Sequence, residues 1–240
     1  MRHVLLVVVV ILLANPASAT LQRTFVSHKG LDTNPCSVDM PCRSFAVAIT
    51  QTNANGEVVA IDSAGYGPVI ITKSATIVAP LGVHAGISVF SGDGVTINAG
   101  SNDMVVLRNL YINAQGGFNG ITLNSTATLH IERCVVSGFS LDDINLIPTT
   151  TAVVAISDTV TRQAGQEGIY ADSAFTLTVS IDRCRMEMNA DNGVLAGRAA
   201  VAIGNSTADH NLGAGFLRRV TPQIWGSRRV SCRTTAWASK

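Results

Sequence analysis

Charge, aromatic rings and long apolar runs are all scarce in this sequence, and each shortage closes off a class of protein. Lys and Arg number 17 against 16 Asp and Glu, a net charge of +1, so the basic surface of a dedicated nucleic-acid binder is missing and no nucleic-acid partner is expected. Aromatic residues are 5 % of the chain, which leaves any core to be built from aliphatic side chains. Beyond the first residues, Thr, Asn, Asp and Gly interrupt every apolar stretch before it reaches the about 20 residues of a membrane-spanning helix. Cys-x-x-Cys is absent and no His pair stands beside the five cysteines, which argues against a zinc site. His28, His84, His130 and His210 fall at unrelated positions of the repeat described below, so they suggest no Ser-His-Asp or metal constellation.

What is present begins with an export signal. Arg2 and His3 precede the apolar run Val4 to Leu13, and Ala17-Ser18-Ala19 forms a small-residue cleavage site. Cleavage is expected before Thr20, which would make residues 1–19 a signal peptide and the product secreted or periplasmic with no stable membrane span; the alternative is an uncleaved anchor. Cys36 and Cys42 flank a Pro-containing loop, a spacing that suits a small disulfide in an oxidising compartment.

The dominant feature is a repeat of about 22 to 26 residues. Segments such as VVLRNLYI, LHIERCVV, VVAISDTV, VSIDRCRM and VAIGNSTA superpose without gaps. One column runs Leu107, Ile131, Ile156, Ile181, Ile203; two residues earlier stand Val105, Leu129, Val154, Val179, Val201. This alternation places both columns on the inward face of a strand. A second short strand supplies Leu110, Cys134, Thr159, Cys184, Ser206 and then Ile112, Val136, Thr161, Met186, Ala208. A third supplies Val95, Ile121, Ile144, Ile169, Val194 and Phe216, each preceded by Gly except at Ile144, where Asp143 stands. That Gly column calls for positive φ or close backbone approach. Three short strands per repeat with no helix between them predict a chain coiled so that each strand pairs with its equivalent one turn on: an all-β solenoid.

These phrases resemble the right-handed parallel β-helix family, the pectin-lyase-like superfamily, over roughly Gly56 to Phe216; right-handedness is implied by that resemblance. GEVVAIDSAGYGPVIITKSATIVAP is similar to the first coils of exported bacterial β-helix proteins. CRSFAVAIT predicts a capping helix with Phe45, Ala48 and Ile49 on one face, ending near Asn55-Gly56. The expected organisation is a cap over 20–56, a β-helix over 57–216 and an irregular C-terminal tail over 217–240. Coils spaced about 4.8 Å apart put Cys134 and Cys184 about 10 Å from each other, beyond disulfide reach, and predict two buried free thiols.

Candidate chemistry lies in a polar column just before the Gly column: Asp93, Asn119, Asp142, Glu167, Asn192. Asp142 and Glu167 fall on adjacent coils about 5 Å apart, with Asp143 beside them. Two such carboxyl groups raise one pKa or bind a cation, so Asp142, Asp143 and Glu167 are candidate calcium ligands and Asp142 and Glu167 candidate acid and base; the resemblance to calcium-dependent lyases of the superfamily, which set an Arg or Lys beside such ligands, implies Arg162 as an assisting residue. Gln166, Asp191 and Asn192 flank the same edge as candidate sugar contacts. The competing explanation is structural: Asn, Asp and Gly are what tight turns demand. Another column, Asn109, Arg133, Asp158, Arg183, Asn205, reads as a surface ion-pair ladder, with sugar contact by its arginines as the alternative.

The resemblance implies an extracellular polysaccharide partner. It does not supply a catalytic motif: the Asn-Thr-Asp, Gly-Asp-Asp, Gly-His-Gly and Arg-Ile-Lys motifs of the pectin hydrolases are absent, as is the Asp-Pro-His of alginate epimerases. Three functions stay open: an acidic-polysaccharide lyase or hydrolase, a non-catalytic surface or adhesion module, and a truncated, inactive relative.

Overall fold

The computed structural model describes residues 21–218 and 231–233. Three parallel sheets of eight, seven and eight strands run the length of the molecule, and the chain passes through all three in each turn. The fold is an all-β parallel solenoid with one short helix. The expected signal peptide and most of the expected tail lie outside the described residues. Phe216–Arg218 is the last strand of the second sheet, and Ser231–Arg233 pairs with Thr207–Asp209 at the end of the third.

The register follows the sequence columns. Leu107, Ile131, Ile156, Ile181 and Ile203 are paired neighbour to neighbour in the first sheet, as are Val105, Leu129, Val154, Val179 and Val201. Ile112, Val136, Thr161, Met186 and Ala208 form the inward file of the third sheet. Val95, Ile121, Ile144, Ile169, Val194 and Phe216 form that of the second. Their side chains make one continuous aliphatic core in which Val201 and Phe216, near the C-terminal end, are only partly buried. A unit that buries its apolar face only against its neighbours gains stability by stacking.

The corners are set by backbone conformation. Asn109, Arg133, Asp158, Arg183 and Asn205 have φ between 49° and 58°, the left-handed region, and turn the chain from the first sheet into the third. A second left-handed file, Gly138, Gln163, Met188 and His210, ends the third sheet's strands. L-residues there cost about 1 kcal/mol each. The cost is offset because the bent N–H groups bond the next coil, as in Arg133 N–H to Ser157 O at 3.0 Å and Asp158 N–H to Asp182 O at 3.1 Å. The first of these files was expected as an ion-pair ladder. Its exposed side chains form only one such rung among the described residues, a two-pronged Arg183–Asp158 contact at 2.8 Å.

The Gly column is explained by close approach, since none of Gly94, Gly120, Gly168 and Gly193 has positive φ. A Cβ on Gly120 would lie 2.2 Å from Val136 Cγ1 and 2.4 Å from Asp143 O; one on Gly193 would lie 2.6 Å from Gly215 O.

At the N-terminal end the helix Phe45–Gln51 covers the first coil with Phe45, Ala48 and Ile49. Ser44 caps it, its Oγ accepting from Val47 N–H at 3.2 Å. It ends earlier than expected, because Thr52 turns its Oγ1 back to Ala48 O at 2.7 Å and enters a nine-residue strand directly. Cys36 and Cys42 form the expected disulfide, and Cys134 and Cys184 are buried free thiols separated in their file by Thr159. Burial pushes the Cys134 thiol up to about 12 and the Cys184 thiol up to about 11, so neither is a thiolate at neutral pH.

Candidate functional site

The polar column sits where the chain enters the second sheet, and its members tie successive coils together. Asp93 Oδ1 accepts from Asn119 N–H at 3.1 Å, Asn119 Oδ1 from Asp142 N–H at 3.2 Å, and Asp142 Oδ1 from Glu167 N–H at 3.1 Å. Asn192 Oδ1 accepts from Ala214 N–H at 2.9 Å. The turn explanation therefore holds for this column: each side chain replaces a backbone partner that the turn leaves out. Glu167 departs from it. One methylene longer, its carboxylate accepts instead from Asn192 Nδ2 at 3.4 Å and stands within hydrogen-bonding reach of the Asp142 carboxyl.

That departure opens on a cleft. About 550 Å³ of space is lined by Asp142, Gly165, Gln166, Glu167, Tyr170, Ala190, Asp191 and Leu195. Asp142 and Glu167 form its floor, exposed by only 5 % and 6 %. Burial pushes the Asp142 carboxyl up to about 7, and the hydrogen bond and charge of Glu167 add to the rise; the N–H it accepts from Glu167 opposes it. Asp142 thus keeps its proton up to about pH 7, beside the Glu167 carboxyl group.

The other expected site residues divide. Gln166 and Asp191 line the cleft, at stacked positions joined by Asp191 N–H to Gln166 O at 3.0 Å. Asn192 is buried behind it and reaches the ligand side only through Glu167. Arg162 is not brought to the site: its side chain is exposed at the end of a third-sheet strand and does not line the cleft. Asp143 is not brought there either. Its neighbours along the column are glycines because that position faces the interior, and its carboxyl is fully buried with Oδ2 accepting from Arg162 N–H at 2.7 Å. Oδ1 makes no hydrogen bond, nor does the buried Thr161 Oγ1. Burial raises the Asp143 pKa well above the usual carboxylate range. With Asp143 turned inward, the expected calcium set does not converge, and among the described residues no group of three His, Cys, Asp or Glu is placed to hold a metal.

Two cleft residues were not singled out by the sequence reading. Tyr170 and Leu195 are paired on the outer face of the second sheet, in the file Thr96, Thr122, Asn145, Tyr170, Leu195. The signal was a change from small polar residues to large ones at that file's C-terminal end. A Ser, a His and an Asp do meet elsewhere: Asp62 accepts from Ser27 Oγ at 2.5 Å, from His28 N–H and Nδ1 at 2.9 Å, and from Tyr66 Oη at 2.5 Å. Burial works to raise Asp62, but these hydrogen bonds outweigh it and hold the carboxyl well below its usual range. Ser27 and His28 both bond the carboxylate and not each other, so no nucleophile–base pair exists; the cluster fastens the first strand to the turn after the second.

No protein-family model matches the chain, and no curated protein matches it either.

Proposed function

We propose that this protein binds an extracellular polysaccharide in the Asp142–Glu167 cleft. The observation that carries the reading is the cleft itself: an open depression with the Asp142 and Glu167 carboxyl groups as its floor and Tyr170 in its wall. Sugars present many hydroxyls and an apolar ring face. Carboxyl groups bond the former and an aromatic ring packs on the latter, while Gln166 and Asp191 add polar reach at the rim. The stacked register supports placing the chain with the pectin-lyase-like β-helix proteins, and the Cys36–Cys42 disulfide fits an extracytoplasmic location.

A second reading is glycoside hydrolysis at the same cleft. It rests on Asp142 keeping a proton near neutral pH, as a general acid must, beside a Glu167 carboxylate able to act as base or nucleophile. Carboxyl groups in hydrogen-bond contact are closer than the roughly 5 Å or more that either glycosidase geometry uses, so hydrolysis requires the sugar to enter between them. Binding requires no such separation, which makes it the first reading. A lyase is third, because Arg162 lies away from the pair and calcium has no ligand set there. A glycan array followed by product analysis tests the order: retention without new reducing ends supports binding, release of reducing ends supports hydrolysis, release of unsaturated ends supports a lyase, and no retained glycan refutes all three.

A further inference from the structure

The cleft's lining is lopsided in charge. Among the described residues the lining holds three acids, Asp142, Glu167 and Asp191, and no Lys, Arg or His. The arginines of neighbouring coils do not compensate. Among the described residues, Arg185 pairs with Glu187 at 3.2 Å and Arg198 with Asp172 at 2.9 Å, while Arg162, outside the lining, directs its charge and its backbone N–H at Asp143. The pair on the floor and Asp191 at the rim set three carboxyl groups around the same space. A ligand lying against Tyr170 must therefore approach negative charge within a few ångströms, in a depression where water screens poorly.

We infer, resting on the saccharide reading above, that the cleft takes an uncharged glycan and excludes one built of uronic acids. Neutral sugar hydroxyls suit the floor: its carboxyl oxygens accept from them, and a sugar oxygen can accept from Asp142 when that group is protonated. A uronate replaces a neutral hydroxymethyl group by a carboxylate. That group would meet Glu167 or Asp191 as a like charge, with no cation among the described lining residues to receive it. This separates the protein from a binder of acidic polysaccharide, whose groove must carry basic side chains.

The test uses matched oligosaccharide pairs differing only in that group: glucan with glucuronan, galactan with galacturonan, mannan with mannuronan, measured by calorimetry on the whole secreted chain. In the pair whose backbone fits, the neutral member is expected to bind at least tenfold tighter at low salt. The gap should shrink at about 0.5 M salt, where exposed charges are screened. Asp191→Asn, a partly exposed change, should narrow it in the folded protein. A uronic member binding as tightly as its neutral partner, or a gap untouched by both salt and Asp191→Asn, overturns the inference while leaving saccharide binding in place. Failure of every oligosaccharide to bind overturns the saccharide reading itself.

Discussion

The buried carboxyl groups make a prediction about pH that runs opposite to the usual expectation for an acid-sensitive fold. Asp142 rises from the ordinary 3.8 to about 7 on folding. The folded chain thus binds this proton more tightly than the unfolded chain does. Between about pH 4 and pH 7 the native state carries the proton and the unfolded state does not, so stability is fullest below the unfolded value and drains away as pH climbs. At about 1.4 kcal/mol per pH unit the loss is about 4 kcal/mol, a large part of a typical domain's stability. Asp143, also raised by burial, acts in the same direction. The substitution Asp142→Asn keeps the oxygen that accepts Glu167 N–H and removes the titration. Urea unfolding followed by far-UV circular dichroism, at about pH 4.5, 5.5, 6.5 and 7.5, should show wild-type stability falling through the series. Asp142→Asn should fall less, and the double variant Asp142→Asn/Asp143→Asn should be nearly flat. Wild-type stability that holds steady or rises over this window, or an Asp142→Asn profile as steep as wild type, refutes the reasoning. Below about pH 4 the sign reverses, because Asp62 and Glu132 are held low by their partners and lose that stabilisation once protonated.

Three further outcomes follow from the packing. Gly120→Ala drives a methyl group into Val136 and the Asp143 carbonyl and should cost about 1–3 kcal/mol in thermal or chemical unfolding, whereas a cost near zero would mean the coils are looser than the register requires. Ile156→Ala empties the middle of the first-sheet file and should cost about 2–5 kcal/mol; a cost under about 1 kcal/mol would contradict its full burial. Reduction of Cys36–Cys42, which closes a short loop, should cost about 2 kcal/mol, while Cys134 and Cys184 should resist alkylation until the chain is denatured, as mass spectrometry of labelled peptides can read.

The core was legible because aliphatic columns at a fixed period have only one way to be buried together. Ile131, Ile156 and Ile181 stack where their spacing places them. The carboxyl pair was legible for the same reason, since a shared register makes Asp142 and Glu167 neighbours. What the pattern hid was side-chain direction at the corners. Asn109, Arg133, Asp158, Arg183 and Asn205 look like a charge ladder, but their common property is a left-handed backbone, which polar residues of many kinds tolerate. Asp143 occupies a glycine slot, and the slot's inward direction, invisible while every other occupant lacks a side chain, turns its carboxyl into the core and away from the calcium site once suggested by proximity. Tyr170 escaped notice because outward positions carry no periodic constraint and become meaningful only once the cleft beside them is seen.

The most direct test of the central claim is a glycan array probed side by side with the wild-type chain and with an Asp142→Asn/Glu167→Gln variant shown by circular dichroism to be folded. Both substitutions keep the size of the floor and remove its two acidic groups. Wild type should retain a set of uncharged glycans that the variant loses or binds at least tenfold more weakly; an unchanged pattern would place the sugar elsewhere on the solenoid and reduce the carboxyl pair to a rung of the coil-to-coil ladder.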